Sequence, residues 1–363
     1  MAAAILLTGC SHDAGDELGG GGIITPPQPE TAIVFTGDML EEKTVTRADA
    51  LEEYYTSFNV WGYKNNTYAS NSYTDYETVM YGYTVNYTSG SDNSSTSNSN
   101  GWEYVDQQTE GATKQSIKYW DPDAAAYRFF GCTGTIGTDV TVTEDMTNDP
   151  KSVTLACEVN AAREQTLLYS KLWFSTGSQD YPDKQFGKAV KLEFQKPVVK
   201  VRFLYKLSDE TGMFLLEDQS FAPTTEGKTI AIAGIFNVTY PLTGTATAET
   251  WSVGTTTASI EGFTEDYYEI GENEDVAESI LAGQKKWYTV LPATNQGPYE
   301  LSVKINEEPR SAIVPAEYME WKPGYQYTYV FKITDSGSVT LEDVFSGFIK
   351  WDSEEASYTI YNW

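Results

Sequence analysis

The sequence predicts an all-β protein made of two antiparallel β-sandwich domains with few short helices. Apolar and polar residues alternate with a period of two in Tyr325–Ile333 and again in Val199–Leu207, as in strands with one buried face. Similar short segments recur along the chain, separated by turn-forming Gly, Pro, Asn and Asp, whereas helical periodicity is rare. This combination is typical of antiparallel sandwiches.

The remaining elements are expected where shorter runs show a pattern. A long strand should place Val79, Tyr81, Tyr83, Val85 and Tyr87 on one apolar face. The shorter elements are strands at 33–35, 58–63, 117–120, 127–132, 140–143, 153–157, 167–174, 191–194, 230–238, 287–291, 301–305 and 358–363, and two-turn helices at 48–55 and 274–281.

A chain of 363 residues with 40% hydrophobic and 14% aromatic residues is long enough for two or three folded domains. We expect an N-terminal sandwich over 31–207, with a first strand at 32–36 and a cleavable connecting loop at 38–48. A C-terminal sandwich should cover 208–363, because polar turn residues follow the preceding long strand. No apolar stretch approaches the roughly 18 residues of a transmembrane helix.

Composition excludes several classes of function. The chain carries 52 acidic and 24 basic residues, a net charge of −28, so it would repel nucleic acid and anionic membrane surfaces. Its single histidine, His12, lies in a Gly- and Asp-rich stretch, which excludes Ser-His-Asp and Cys-His catalysis and His-ligated zinc. The acidic residues from Glu265 to Glu278 lack calcium-loop spacing, and no nucleotide-binding motif occurs. We expect no metal, no cofactor and no enzymatic activity.

The N-terminus carries an export pattern. Leu6-Leu7-Thr8-Gly9-Cys10 resembles the lipobox of bacterial lipoproteins, in which the Cys becomes lipidated. No basic residue precedes the apolar run, so we interpret 1–10 as a truncated lipoprotein signal whose true start codon lies upstream. Residues 11–30 are rich in Gly, Pro and acidic side chains and are interpreted as a flexible tether. The alternative for Cys10 is a small buried residue of an ordinary N-terminus.

The other two cysteines, Cys132 and Cys157, fall in predicted strands. In an exported chain they can form a disulfide, which would close a loop of about 26 residues and stabilise the fold by about 3.5 kcal/mol. Two unpaired core thiols agree with the sequence equally well.

Several segments, taken in order, resemble the fimbrillin-like proteins of Bacteroidales, the major and accessory pilins of type V pili. The likeness spans nearly the whole chain and rests on the combination rather than on one motif. The segments are the lipobox ending at Cys10, Ala32-Ile33-Val34-Phe35, Thr46-Arg47-Ala48, Phe58 to Tyr63, Lys118-Tyr119-Trp120, Tyr127 to Phe130, Phe194 to Phe203, Trp321 to Tyr329 and the terminal aromatic strand ending at Trp363.

This resemblance implies transthyretin-like sandwiches, export to the outer membrane as an acylated lipoprotein, and cleavage by an arginine-specific protease after the first strand. It assigns the cut to the Arg47–Ala48 bond and the displaced strand to Ile33, Val34 and Phe35. A strand from a neighbouring subunit would fill the groove, so that adhesive cell-surface fibres grow by donor-strand exchange. The implied partners are other fimbrial subunits and host or bacterial surface receptors.

The residues around Arg47 agree with this assignment. Arg128 and Arg202 lie within predicted strands, whereas Arg47 follows a polar stretch after the first strand. An exposed connecting loop is a common site of proteolytic nicking. An ordinary surface Arg is the simpler alternative. The C-terminal strand 358–363 is the expected donor.

A second hypothesis is a glycan-binding surface lipoprotein that never polymerises. Nine Trp and 26 Tyr exceed the needs of a core, and exposed aromatic faces stack on sugar rings. Most of these aromatics, however, fall on the apolar side of alternating strands, where core packing explains them. This hypothesis predicts aromatic side chains projecting from loops at 68–76 or 102–104. A third hypothesis is a carboxylate-based glycosidase, with two acids about 5–10 Å apart in a deep cleft.

Overall fold

The computed structural model describes residues 31–39, 55–88, 97, 101–107, 114–161, 166–177, 185–207, 214–270, 287–334 and 336–349. The helices expected at 48–55 and 274–281 and the strand expected at 358–363 lie outside these residues, apart from Tyr55, which is not helical. The described chain is almost entirely β-structure, with one short 3-10 helix at Ala316–Tyr318. The all-β prediction is confirmed.

The described part of the chain contains twenty strands, formed mostly by segments with an alternating or fully buried apolar pattern. These are β1 (Phe35–Met39), β2 (Ser57–Ala69), β3 (Ser72–Tyr87), β4 (Trp102–Glu103), β5 (Ala126–Cys132), β6 (Val140–Asp145), β7 (Ser152–Val159), β8 (Tyr169–Ser170), β9 (Trp173–Ser175), β10 (Val190–Gln195), β11 (Val199–Leu207), β12 (Phe214–Pro223), β13 (Ile230–Pro241), β14 (Thr250–Ile260), β15 (Phe263–Ile270), β16 (Tyr288–Val290), β17 (Tyr299–Ile305), β18 (Glu308–Val314), β19 (Tyr325–Ile333) and β20 (Val339–Phe348).

The described strands form four sheets. Sheet 1 has the order β1-β10-β8-β5-β2-β3-β4, with β9 also paired to β5, and sheet 2 has the order β14-β13-β7-β6. Sheet 3 has the order β16-β11-β19-β20, and sheet 4 has the order β15-β12-β17-β18. Most pairs are antiparallel, as predicted, but β1 pairs with β10 and β11 pairs with β19 in parallel.

The four sheets pack as two sandwiches, which confirms the predicted architecture. Sheets 1 and 2 share a core in which Trp61 and Tyr63 of sheet 1 meet Leu155 and Phe236 of sheet 2. Sheets 3 and 4 share a second core, where residues such as Phe203 of β11 and Phe221 of β12 have ring centroids 4.6 Å apart. Each sheet therefore buries the apolar face that its alternating pattern creates.

The domain boundary expected at 207/208 needs a correction for β13 and β14. Both strands follow that boundary in sequence, yet β13 pairs with β7 along eight residues, from Gly234↔Val159 to Pro241↔Ser152. The start of β13 contributes Ile230 to the core of the second sandwich, so this strand passes from one sandwich to the other. A polar turn in the sequence indicates only that a strand ends there, and it does not predict pairing between strands that are far apart in the chain.

Sheet 1 is covered on both faces. All seven residues of β5 are buried, because sheet 2 covers one face of the sheet and an aromatic layer covers the other. This layer includes Trp102, Tyr104 and Trp120, together with Ile33 and Phe35 from the start of the described chain. The N-terminal segment thus belongs to the core of the first sandwich.

The apolar face predicted for β3 is interrupted near its middle. Tyr81, expected on that face, is 53% exposed, whereas its neighbour Met80 is buried. The register between β2 and β3 shifts at Gly62, and Gly82 has a φ of 60° that favours glycine. A bulge of this kind reverses which side chains point inward, and period-two reasoning does not anticipate it.

Candidate functional site

The N-terminal segment, residues 31–39, closes one side of the first sandwich. At its start, Ile33 N donates to Lys118 O at 2.8 Å, and Trp120 N donates to Thr31 O at 3.0 Å. These two bonds form a short antiparallel bridge to the segment that precedes β5. Residues 31–33 are therefore paired on one side with residues 118–120.

Farther along, the N-terminal segment pairs on its other side with β10. Val190 N donates to Val34 O at 2.8 Å, and β1 then runs parallel to β10 from Phe35↔Val190 to Met39↔Phe194. β1 is the terminal strand of sheet 1 in the described part of the chain. A terminal strand can leave a sheet without breaking the pairing of the other strands.

Within residues 31–36 of the N-terminal segment, two side chains are fully buried. Ile33 and Phe35 have no exposed surface, whereas Val34 between them is half-buried. The Phe35 ring lies edge-on to Tyr104 and to Phe129, with centroids 5.9 and 5.6 Å apart. Removing the segment would leave an apolar groove lined by these two aromatic residues.

Tyr104 connects the N-terminal segment to the rest of the sandwich. Its hydroxyl donates to Ile33 O at 2.9 Å and accepts a hydrogen bond from Lys118 N at 3.0 Å. Burial raises the pKa of Tyr104 well above its usual range, so the hydroxyl stays protonated and keeps donating. That Tyr104 binds the N-terminal segment is not predicted from the sequence, because the aromatic residues of 102–104 are expected to be exposed.

The two aromatic stretches of the glycan-binding hypothesis differ in exposure. Trp102 and Tyr104 are buried, so the expectation of projecting side chains at 102–104 is wrong. At the turn between β2 and β3, Tyr68 is 54% exposed and its ring centroid lies 4.6 Å from that of Tyr73. The stretch 68–76 therefore presents one exposed aromatic ring.

The structure places only part of the predicted site. Ile33, Val34 and Phe35 lie together in the N-terminal segment. Cys10, Arg47 and Ala48 lie outside the described residues. By chain order, Arg47 and Ala48 belong to the connection between β1 and β2.

Cys132 and Cys157 lie on facing sheets of the first sandwich, in β5 and β7. Both belong to the shared core, and both are free and buried in this structure. Burial raises the pKa of the Cys157 thiol to about 12 and that of Cys132 well above its usual range. Both thiols are therefore protonated at neutral pH, and neither resembles a reactive cysteine.

The described residues hold no group of three or more His, Cys, Asp or Glu placed to bind a metal ion. In the same part of the chain, no helix has the length and apolar character needed to cross a membrane.

Fold and site together define a class: an all-β protein of two sandwiches, with an N-terminal strand inserted at the end of one sheet. Solved structures with similarity over most of the chain include a fimbrial protein from Bacteroides vulgatus, with coverage of 88% of this chain and 99% of that protein, 13% identity and a TM-score of 0.46. A candidate cell adhesion protein from Bacteroides ovatus is similar over 90% of this chain and 100% of that protein, with 12% identity and a TM-score of 0.39. Candidate polysaccharide-binding proteins from Bacteroides thetaiotaomicron are similar over 89% of this chain and 96% of that chain, with 9% identity and a TM-score of 0.32. No family model and no curated protein matches the sequence.

Proposed function

We propose that this chain is a structural fimbrial subunit of the cell surface. It is exported as an outer-membrane lipoprotein acylated at Cys10, cleaved between Arg47 and Ala48, and polymerised by donor-strand exchange. The neighbouring subunit's strand takes the place of Ile33, Val34 and Phe35. The fibre serves adhesion, and the chain itself is not an enzyme.

The observation that carries this proposal is the geometry of the N-terminal segment. Among the described strands it lies at the edge of its sheet, yet it buries Ile33 and Phe35 completely. Each buried side chain contributes about 1.5–3 kcal/mol, and each backbone hydrogen bond contributes about 1 kcal/mol. Loss of the segment would therefore create a groove with a strong preference for another strand of alternating apolar residues.

The positions of the arginines support a cut at Arg47. Arg128 in β5 and Arg202 in β11 are buried within paired strands, where a protease cannot bind the backbone in extended form. Arg310 lies in β18, and its Nε donates to Gly337 O at 3.1 Å. Arg47 instead follows β1 in a polar connection, and cleavage there would separate the N-terminal segment from β2.

Charge supports assembly through an inserted strand. Residues 1–47 contain seven acidic and two basic side chains, so the cleaved subunit would carry a net charge of −23. Subunits of equal charge repel one another beyond contact range, with screening over about 8 Å at physiological salt. Non-directional attraction therefore cannot hold the fibre together, and a buried strand can.

Digestion of residues 11–363 with an arginine-specific endoprotease tests the proposal. We expect a new N-terminus at Ala48, followed by time-dependent oligomers in size-exclusion chromatography with light scattering. An excess of a synthetic peptide of residues 31–39 should delay the oligomers by occupying the groove. The Arg47→Ala variant should remain a monomer, whereas Arg163→Ala, as a matched control, should behave like the parent. A resistant monomer with no cut after Arg47 would refute the proposal.

A further inference from the structure

A large cleft lies between the two sandwiches, away from the N-terminal segment. Its volume is about 1010 Å³, at the upper end of the range for ligand sites in proteins. One wall is β14 of the first sandwich, and the other consists of residues 227–231 and 291–296 with Trp321. Clefts between domains are frequent places for ligand binding.

The cleft has an apolar side built around Trp251. This residue is half-buried, and its ring stacks on Phe236 with centroids 6.1 Å apart and 23° between the planes. Val253 and Leu291 also line the cleft. Leu291 belongs to the core that contains Phe236, and Val253 packs against that core. The indole is thus held in a fixed orientation by the sandwich beneath it.

The rest of the lining is polar and mostly uncharged. Hydroxyl groups come from exposed residues that include Thr250, Ser252, Thr256, Ser259 and Thr294. Such groups both donate and accept hydrogen bonds, which suits a ligand covered with hydroxyl groups.

Two half-buried side chains of the cleft are fixed in orientation by neighbours. Leu172 N donates to Glu249 Oε2 at 2.8 Å, which leaves the other carboxylate oxygen available as an acceptor. Tyr299 OH donates to Gln296 Oε1 at 3.2 Å, which leaves the Gln296 amide N–H groups available as donors. The cleft therefore combines one aromatic surface with a few oriented polar groups, the usual composition of a specific small-ligand site.

We infer that this cleft binds a neutral oligosaccharide. A sugar ring has an apolar C–H face, which matches Trp251, and hydroxyl groups around its rim, which match the Ser, Thr, Gln and Glu side chains. An anionic glycan is disfavoured, because Lys228 is the one basic residue among the described residues of the lining and the chain carries a net charge of −28. A peptide strand would require a row of apolar pockets for alternate side chains, whereas β14 offers mainly Thr, Ser and Gly.

The test is a glycan array probed with the uncleaved chain, containing neutral plant, fungal and host oligosaccharides beside sialylated and sulfated ones. We expect saturable binding of at least one neutral glycan and no preference for anionic glycans. The affinity for that glycan is then measured by isothermal titration calorimetry. Because the uncleaved monomer is used, the result is independent of whether the chain polymerises.

Three variants locate the binding. Trp251→Ala should weaken binding about tenfold or more, and Trp251→Phe should retain most of it because a ring remains over Phe236. Thr294→Arg places a bulky cation in the cleft from an exposed position, so it should weaken binding about tenfold or more without unfolding the chain. The matched control is Thr340→Arg, an exposed position on β20, which should bind like the parent.

Three outcomes would overturn the inference. They are the absence of saturable binding to every neutral glycan, a preference for anionic glycans, and binding that survives both Thr294→Arg and Trp251→Ala. If Tyr68→Ala, which removes the exposed ring of the β2–β3 turn, abolished binding while Thr294→Arg did not, the glycan site would lie at that turn instead.

Discussion

Phe130 of β5 stacks face to face on Tyr240 of β13, with ring centroids 3.9 Å apart and 5° between the ring planes. The Tyr240 hydroxyl also donates to Ser170 O in β8 at 2.6 Å, so one side chain from sheet 2 is tied to two strands of sheet 1. The first sandwich is therefore completed by a strand that follows the whole of sheet 1 in sequence.

The fragment 31–207 should not fold by itself. Without β13 and β14, the strands β6 and β7 form a two-stranded ribbon, and Phe130 loses the ring that covers it. A two-stranded ribbon is at best marginally stable in water. We expect the fragment to bind a hydrophobic dye and to lack near-ultraviolet circular dichroism, unlike the full chain. Cooperative unfolding of the fragment in urea would contradict this prediction.

Replacement of Phe35 by Ala should lower the free energy of unfolding of the uncleaved chain by about 3–5 kcal/mol, as for other fully buried aromatics. The physical reason is the cavity left between Tyr104 and Phe129. Equilibrium urea denaturation followed by circular dichroism measures the change. Tyr68→Ala removes an exposed ring and should change stability by no more than about 0.5 kcal/mol. Equal urea midpoints for the two variants would show that the N-terminal segment adds little.

Arg128 is a buried cation held by neutral groups. Its Nε donates to Asn65 Oδ1 at 3.2 Å, its Nη1 donates to Ala246 O at 2.7 Å, and its Cζ lies 4.7 Å from the ring centroid of Phe174. Nη2 has no hydrogen-bond partner among the described residues. Burial disfavours the charged form of Arg128 and so lowers its pKa to about 10.

Two substitutions separate the charge of Arg128 from its shape. Arg128→Lys keeps the buried charge but loses the planar group that bonds two partners and stacks on Phe174, so it should destabilise the chain by about 3 kcal/mol. Arg128→Met removes the charge as well and should cost less, because Ala246 is exposed and its carbonyl can bond to water. Urea denaturation ranks the variants, and the reverse order would contradict this account.

Buried tyrosines predict unfolding at alkaline pH. Burial raises the pKa of each of these residues: Tyr63, Tyr104, Tyr127, Tyr169, Tyr240, Tyr299, Tyr327 (to about 12) and Tyr329. Above pH 10 the unfolded chain loses these protons while the folded chain keeps them. The contribution of these tyrosines to stability is therefore fully present below pH 10 and decreases as the pH rises from there.

Arg128 acts in the opposite direction over the same pH range, because its folded pKa is lowered and deprotonation relieves the buried charge. One group is outweighed by many tyrosines, so the net effect is a loss. We expect the urea midpoint to fall steadily between about pH 10 and 12, with tyrosinate absorbance appearing together with the loss of near-ultraviolet circular dichroism. Tyrosinate that appears while the fold persists would contradict the prediction.

Sequence reasoning located the strands with regular alternation. β11 and β19 have the predicted bounds, Val199–Leu207 and Tyr325–Ile333, because burial of one face imposes the pattern. β14 and β18 were not anticipated, since an edge strand with much of its surface in water needs no apolar alternation. They are strands because they pair with β13 and β17, and this pairing depends on the fold as a whole and not on the local sequence pattern.

The burial of the N-terminal segment follows in part from the local sequence. Ile33 and Phe35 have the spacing of one buried strand face, and that signal is local. The local sequence does not predict the burial of Tyr104. This burial depends on the return of the chain through residues 114–120, which bring Lys118 N to the Tyr104 hydroxyl. The cleft around Trp251 was not anticipated, because its lining combines residues that are far apart in sequence and that pack against the cores of both sandwiches.

The late position of β13 and β14 in the chain governs the order of folding during synthesis. A ribosome releases the N-terminus first, and domains made of local contacts can fold as they emerge. Here sheet 2 lacks two of its four strands until β13 has emerged, and it is complete only when residue 260, the last of β14, has emerged. Sheet 1, with Trp61, Phe130 and Cys132 uncovered, must wait for these strands without aggregating. Folding of the first sandwich is therefore coupled to completion of most of the polypeptide.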